Sequence, residues 1–248
     1  MLALALTWAA GGIDAIGYLT LLYIYTANMS GNSVALGIHT AQGVWVGVAR
    51  RAYPVGTFFC GLVLGGAIVE AARRRGHRSA LGVALAGEAV CVAAFVSLAE
   101  LWLGNRGQVP PDAPWMFACL VGLAAAAMGM QNGALRRIRA TAEFRTYVTG
   151  TLLNCAEALV DLLFWLTGRL RGWRKPRRLA RLRAVIRSRA PFRRWRLAGS
   201  IWVAYLLGAI SSTILLHVCG LAAAGVPLAI IIAVAAFDFI HPALESER

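Results

Sequence analysis

The chain has 248 residues, 59% of them hydrophobic and only 15% charged, where a soluble domain carries nearer a quarter charged. A formal net charge of +14 does not argue for nucleic acid, because the arginines gather between apolar runs, as the positive-inside rule expects of a membrane protein. A transmembrane barrel needs alternating apolar and polar residues, which are absent.

Runs approaching the ~20 residues that cross a bilayer as a helix occur at Leu2–Ile24, Ala52–Ala72, Ala80–Leu103, Trp115–Leu135, Leu197–Val218 and Leu221–Ile240. They predict an all-α integral membrane protein with six full transmembrane helices. The first run begins without basic residues and continues into a polar-marked span, so no cleavable leader is expected. Cys60, Cys91, Cys119, Cys155 and Cys219 sit in apolar segments without metal or disulfide spacing and read as packing residues.

Loop charges set an orientation. Arg73–Arg75 with Arg78, then Arg136, Arg137, Arg139 and Arg145, then the tract Arg169–Arg196 are expected to be cytoplasmic. Gly104–Pro114 and Cys219–Gly220 carry almost no positive charge and belong outside. The apolar segment Val148–Gly168 then has cytoplasmic charge at both ends and cannot be a simple crossing. Its counterpart Ser33–Ala49 must likewise leave and return on the outer side. Both read as re-entrant or half helices, which protein or a watery cavity must satisfy at depth. A rival topology lets both cross, giving eight spans in parallel halves.

The two halves are written alike. Ala27-Asn28-Met29-Ser30-Gly31-Asn32 and Thr146-Tyr147-Val148-Thr149-Gly150-Thr151 each open an apolar segment, and each follows a Gly-rich helix with one polar residue: Gly12-Ile13-Asp14 and Gly129-Met130-Gln131. Leu64-Gly65-Gly66-Ala67 matches Leu207-Gly208-Ala209 in the same order. Three full spans and one half helix per unit give a 3+3 inverted repeat, residues 1–105 and 106–248, with a basic cytoplasmic insertion at about 169–197.

The series Trp8-Ala9-Ala10-Gly11-Gly12-Ile13-Asp14-Ala15-Ile16-Gly17-Tyr18, the Asn28–Asn32 motif, Ala127-Met128-Gly129-Met130-Gln131-Asn132 and the Thr146–Thr151 motif resembles the YoaK family of bacterial membrane proteins. The resemblance covers nearly the whole chain. It implies a multi-pass protein of the bacterial inner membrane and supplies no activity. The long basic insertion and a short, uncharged N-terminus depart from the family pattern.

The first N–H groups of a helix lack partners and carry partial positive charge, so two facing half-helix N-termini suit an anion or polar solute. The expected contacts are Asn28, Ser30, Gly31, Asn32, Gln131, Asn132, Thr149, Gly150 and Thr151. Taken alone, each motif better suits helix capping and small-residue packing; its repetition beside a polar helix residue brings the solute-site reading level with that one. Asp14, a carboxylate inside a span, is the candidate proton- or cation-coupling group; the plainer alternative is a hydrogen bond to Asn132 or to motif backbone. Glu88, Glu157 and Asp161 are expected to pair with arginines, Glu70 with Arg73 and Arg74, and His39 and Gln42 to line the same cavity. Asp238 reads as interfacial. No catalytic constellation, metal spacing or cofactor loop appears, so neither an enzyme nor a cofactor is expected.

Leu179, Leu182, Val185 and Ile186 recur at helical spacing amid arginines, which suits an amphipathic helix on an anionic inner leaflet. Gly61 and Gly65 suit close helix packing, within the protomer or in a homodimer. The resulting expectation is a small-solute transporter or channel. The alternative is a non-transporting scaffold or sensor acting through the basic helix.

Overall fold

The computed structural model describes residues 2–104, 107–137, 148–170 and 190–242. Every regular element among them is helical: α1 (Leu2–Thr20), α2 (Met29–Ala41), α3 (Trp45–Arg74), α4 (Ala80–Leu103), α5 (Pro114–Arg137), α6 (Val148–Leu170), α7 (Ala190–Cys219), a 3₁₀ turn (Gly220–Ala224) and α8 (Gly225–Ile240). Among the described residues, five stretches are long and apolar enough to cross a membrane. The last of these, Trp195–Ile240, is 46 residues long and is broken at Gly220 (φ +64°) into α7 and α8. An all-α multi-pass membrane architecture follows.

The chain forms two compact units: Met1–Glu143 with Ala204–Arg248, and Phe144–Val203. In the first, two buried clusters fill the space between helices. One joins Leu6 and Ile13 of α1, Phe58 of α3, Leu85 and Val92 of α4, Met128 of α5 and Ile231 of α8. The other joins Ile16, Phe95, Leu120, Val109 and Leu221.

Glycine makes the helix crossings close. A Cβ at Gly61 or Gly65 of α3 would overlap the backbone carbonyls of Ala126 or Met130 on α5. A Cβ at Gly129 or Gly133 of α5 would overlap those of Phe58 or Leu62 on α3. The same device joins α1 to the Ala204–Cys219 part of α7, with Gly11 against the Tyr205 carbonyl and Gly208 against that of Trp8. Lipid tails provide no hydrophobic drive for helix association, so backbone proximity of this kind supplies the attraction. The Gly61–Gly65 pattern is therefore used inside the protomer.

The helix ends sort by charge as expected. At one end Gln108 and Val109 donate to the Leu19 and Thr20 carbonyls at 2.8 and 2.9 Å. At the other, Glu70 meets Arg74 at 2.9 Å and Arg137 at 3.7 Å. Arg50 and Arg51 lie at the charge-poor end, and they are absorbed there by carbonyls: Arg50 donates to Pro111 O at 2.9 Å and Arg51 to Tyr23 O at 2.8 Å.

The two expected half helices are unequal. α2 has 13 residues, about 20 Å of rise against a hydrocarbon core of about 30 Å. It is cut from α3 by a turn at Gly43 (φ +67°). In the second unit α6 runs 23 residues without a break, long enough for a full crossing by length alone. Its Glu157 and Asp161 are exposed. Most of the basic tract, including Leu179–Arg187, lies outside the described residues, as do Arg139 and Arg145.

Candidate functional site

The site is built where the chain reverses after α1. Thr20 ends that helix, and Leu22 and Tyr23 then adopt left-handed backbone (φ 56° and 58°). That region is strained for residues with a Cβ, at about 1–3 kcal/mol each. The chain next dips back alongside α1, so that Thr26 and Ala27 reach Asp14. Asp14 lies six residues before the end of α1, about 9 Å in by helix rise. α2 begins two residues later, inside the span. The chain is thus interrupted between α1 and α2, and α2 has only 13 residues.

Asp14 is the pin. It is buried, and its Oδ1 accepts from the backbone N–H of Thr26 at 2.6 Å, the N–H of Ala27 at 2.7 Å and the Thr26 hydroxyl at 3.3 Å. Its Oδ2 accepts from the Tyr205 hydroxyl of α7. All four partners are donors, which is what a desolvated carboxylate requires. Of the two partners expected for Asp14, the motif backbone is the one used, and Asn132 is not.

Asn32 is the second pin. Its Nδ2 donates to Tyr25 O at 2.7 Å, and its Oδ1 accepts from Tyr25 N and from Arg51 Nη1, both at 3.3 Å. With Arg51 also on Tyr23 O, this holds the strained reversal from both sides. Tyr18 adds stacking on Tyr25 (4.7 Å between ring centroids, 29°) and an edge contact to Tyr23 (5.3 Å). Gly31 lies under the Tyr25 ring, which a Cβ would meet at 3.0 Å, so its openness serves the loop. Ser30 is exposed and donates to Asn28 Oδ1 at 2.6 Å.

Beside the pins runs an open groove of about 270 Å³, lined by Asp14, Tyr18, Tyr25, Tyr205, Ala209 and Thr213 among others. Its walls are aromatic, with hydroxyl and carboxyl groups as the polar points.

Gln131 and Asn132 make their contacts elsewhere. Gln131 is fully buried on α5 and donates to Glu88 Oε1 at 3.0 Å. The arginine expected beside Glu88 is therefore replaced by an amide, because Glu88 sits mid-helix, beyond reach of the basic ends. Asn132 donates to Met128 O at 2.8 Å within its own helix. Gly150 falls in the first turn of α6. The side chains of Thr149 and Thr151, and all of Tyr147, lie outside the described residues. His39 packs against Gly47 at the α2–α3 turn, and Gln42 is exposed there, so neither is a wall of the groove. Asp238, expected at an interface, is buried and accepts from Ser79 Oγ and Gly82 N, both at 2.7 Å.

The model of the family described as "Protein of unknown function (DUF1275)" matches residues 2–237. The chain belongs to this family. It is 32% identical over 156 residues to the UPF0700 transmembrane protein YoaK of Bacillus subtilis (strain 168), a match covering 63% of this chain and 65% of that relative. The chain thus spans a little under two thirds of the relative's length. No solved structure matches. The expected resemblance to YoaK-like membrane proteins stands, and with it the multi-pass membrane assignment.

Family membership leaves chemistry to the residues, and two of these the sequence reading missed. Tyr205 and Arg51 both contact the reversal, yet neither belongs to a repeated motif. Arg51 did leave a trace: Arg50 and Arg51 are the only charges between Asp14 and Glu70. Tyr205 is one tyrosine in an apolar helix, and nothing local marks it as the partner of an aspartate in α1.

Proposed function

We propose that this protein is a small-solute transporter or channel of two inverted halves, in which the re-entrant loop between α1 and α2 forms one wall of the solute site. The observation that carries the reading is the start of α2 beside Asp14, inside the span instead of at its surface. Interrupted helices at membrane depth are a recurring way to build solute and ion sites in secondary transporters.

The helix contacts support a repeat. If α1 corresponds to α5, α3 to α7 and α4 to α8, three of the helix contacts have counterparts. The glycine crossing of α3 on α5 corresponds to that of α7 on α1. The contact of α4 with α5 corresponds to that of α8 with α1, and α4 with α8 maps onto itself. The 3+3 arrangement, with α6 as the partner of α2, is proposed on that basis.

The groove is largely apolar, and its tyrosines and Thr213 are the points at which a small polar solute would be held. Asp14 already takes the N–H groups of Thr26 and Ala27, so an anion would draw on N–H groups deeper in α2. Coupling through Asp14 requires Tyr205 and the loop to release the carboxylate, which ties protonation to loop movement.

The test is osmotic swelling of proteoliposomes challenged with small anions, polyols and amino acids. At least one should enter faster than into protein-free vesicles, and Gly31→Leu should remove the excess. Folded protein that leaves the vesicles no leakier than empty ones to any solute in the panel would refute transport.

A further inference from the structure

Glu88 and Gln131 face each other from α4 and α5, and neither has any exposed surface. They share one hydrogen bond, Gln131 Nε2 to Glu88 Oε1 at 3.0 Å. The remaining oxygen of each side chain, Glu88 Oε2 and Gln131 Oε1, is buried without a partner. Two orphaned acceptors in one pair are what remains when a donor is missing. An ionised carboxylate has no donor to give, whereas a carboxylic acid has one O–H.

We propose that Glu88 is a proton-binding site, holding a proton that its Oε2 donates to Gln131 Oε1. A single proton then satisfies both orphans and closes an acid–amide ring with the observed Nε2–H bond. It also removes an otherwise uncompensated charge from the helix core, where burial of an unpaired ion is prohibitive. A carboxylic acid kept neutral by an apolar site, so that it can donate, has precedent in enzymes.

The surroundings leave no other ion to do this. Among the described residues no arginine, lysine or histidine forms an ion pair with Glu88. α4 packs against α3, α5, the 3₁₀ turn and α8. Glu70 of α3 is paired with Arg73, Arg74 and Arg137. Asp238 of α8 is held by Ser79 and Gly82. α5 presents Gln131 itself, the 3₁₀ turn has no titratable side chain, and Cys91 is the neighbouring titratable group on α4. Calcium and magnesium take six or more oxygens and zinc takes about four Cys, His or carboxylate ligands, and no group of three or more His, Cys, Asp or Glu side chains gathers among the described residues. The proposal is independent of transport: the proton is part of the folded core whether or not a solute moves.

The experiment is infrared spectroscopy of the full chain in lipid vesicles at neutral pH. Protonated carboxyl groups give a carbonyl band distinct from carboxylate, and it shifts in D₂O. The wild-type band should move on incorporation of ¹³C-labelled glutamate, vanish in Glu88→Gln and persist in Asp14→Asn. Gln131→Leu should shift it upward, since the acid loses its acceptor. Glu88→Gln should also melt within a degree or two of wild type, because an amide pair replaces an acid–amide pair. Absence of a glutamate acid band in the labelled wild type overturns the proposal without need of any variant. A band untouched by Glu88→Gln, or one that Gln131→Leu leaves in place, overturns it equally.

Discussion

Tyr205 donates its phenolic hydroxyl to Asp14 across 191 positions of the chain. The same carboxylate holds the N–H groups of Thr26 and Ala27, so one side chain ties α7, α1 and the start of α2 together. Everything proposed for the site follows from that three-way tie.

Tyr205→Phe removes one of four donors to a buried carboxylate and should cost about 1.5–3 kcal/mol, the range for hydrogen bonds to charged groups. Asp14→Asn should cost more, because its amide nitrogen is turned toward groups that are themselves donors. Denaturant unfolding in detergent micelles measures both. The double variant should lose less than the sum, since both changes break one network.

Arg51→Met leaves the carbonyl of Tyr23 and Oδ1 of Asn32 short of a donor, so the left-handed pair Leu22–Tyr23 loses a restraint. Amide hydrogen exchange at Ile24–Ala27 should quicken at least tenfold, while the core of α5 keeps its protection. Asn32→Ala should act on the same amides. Unchanged exchange in both variants would mean that the reversal is held by the aromatic stack alone.

Gly65→Leu places a side chain where Met130 carbonyl oxygen already sits. Overpacking typically costs 1–3 kcal/mol, and a backbone obstacle cannot rotate away, so more than about 3 kcal/mol is expected and the folded yield should collapse. Gly37→Ala is the control, because open space surrounds that position in α2. It should be neutral or stabilising by up to about 1 kcal/mol through helix propensity. Thermal melting of the two variants side by side distinguishes the cases.

Asp238 caps the first turn of α4 from α8, accepting from Gly82 N and Ser79 Oγ. Asp238→Ala should therefore lower stability by about 1–2 kcal/mol, as loss of a helix cap does, and raise exchange at the Gly82 amide. A change confined to the end of α8 would argue against the cap.

The spans and their charged ends were legible because apolar length and arginine placement are properties of short windows. The interruption between α1 and α2 was legible for a subtler reason, a conflict between loop charges and a simple crossing. Unequal lengths of α2 and α6 were not legible, because Gly43 cuts one segment and nothing cuts the other until well past the motif. Roles inside the site were harder still. Gly31 and Asn32 read equally well as ligand contacts and as loop supports, and only the position of Tyr25 separates those uses. Gln131 looked like the counterpart of Asp14, yet its partner is Glu88, and which face of a helix meets which neighbour is a tertiary fact.

The claim on which the transport reading rests is that the start of α2 is reachable by water inside the membrane. With Cys60, Cys91, Cys119, Cys155 and Cys219 replaced by alanine, Ser30→Cys in sealed vesicles should react with a membrane-impermeant thiol reagent from one side. Modification should abolish any solute flux. If Ser30→Cys resists impermeant reagents from both sides yet reacts with a membrane-permeant maleimide, the start of α2 is sealed in lipid or protein and the solute site is not there.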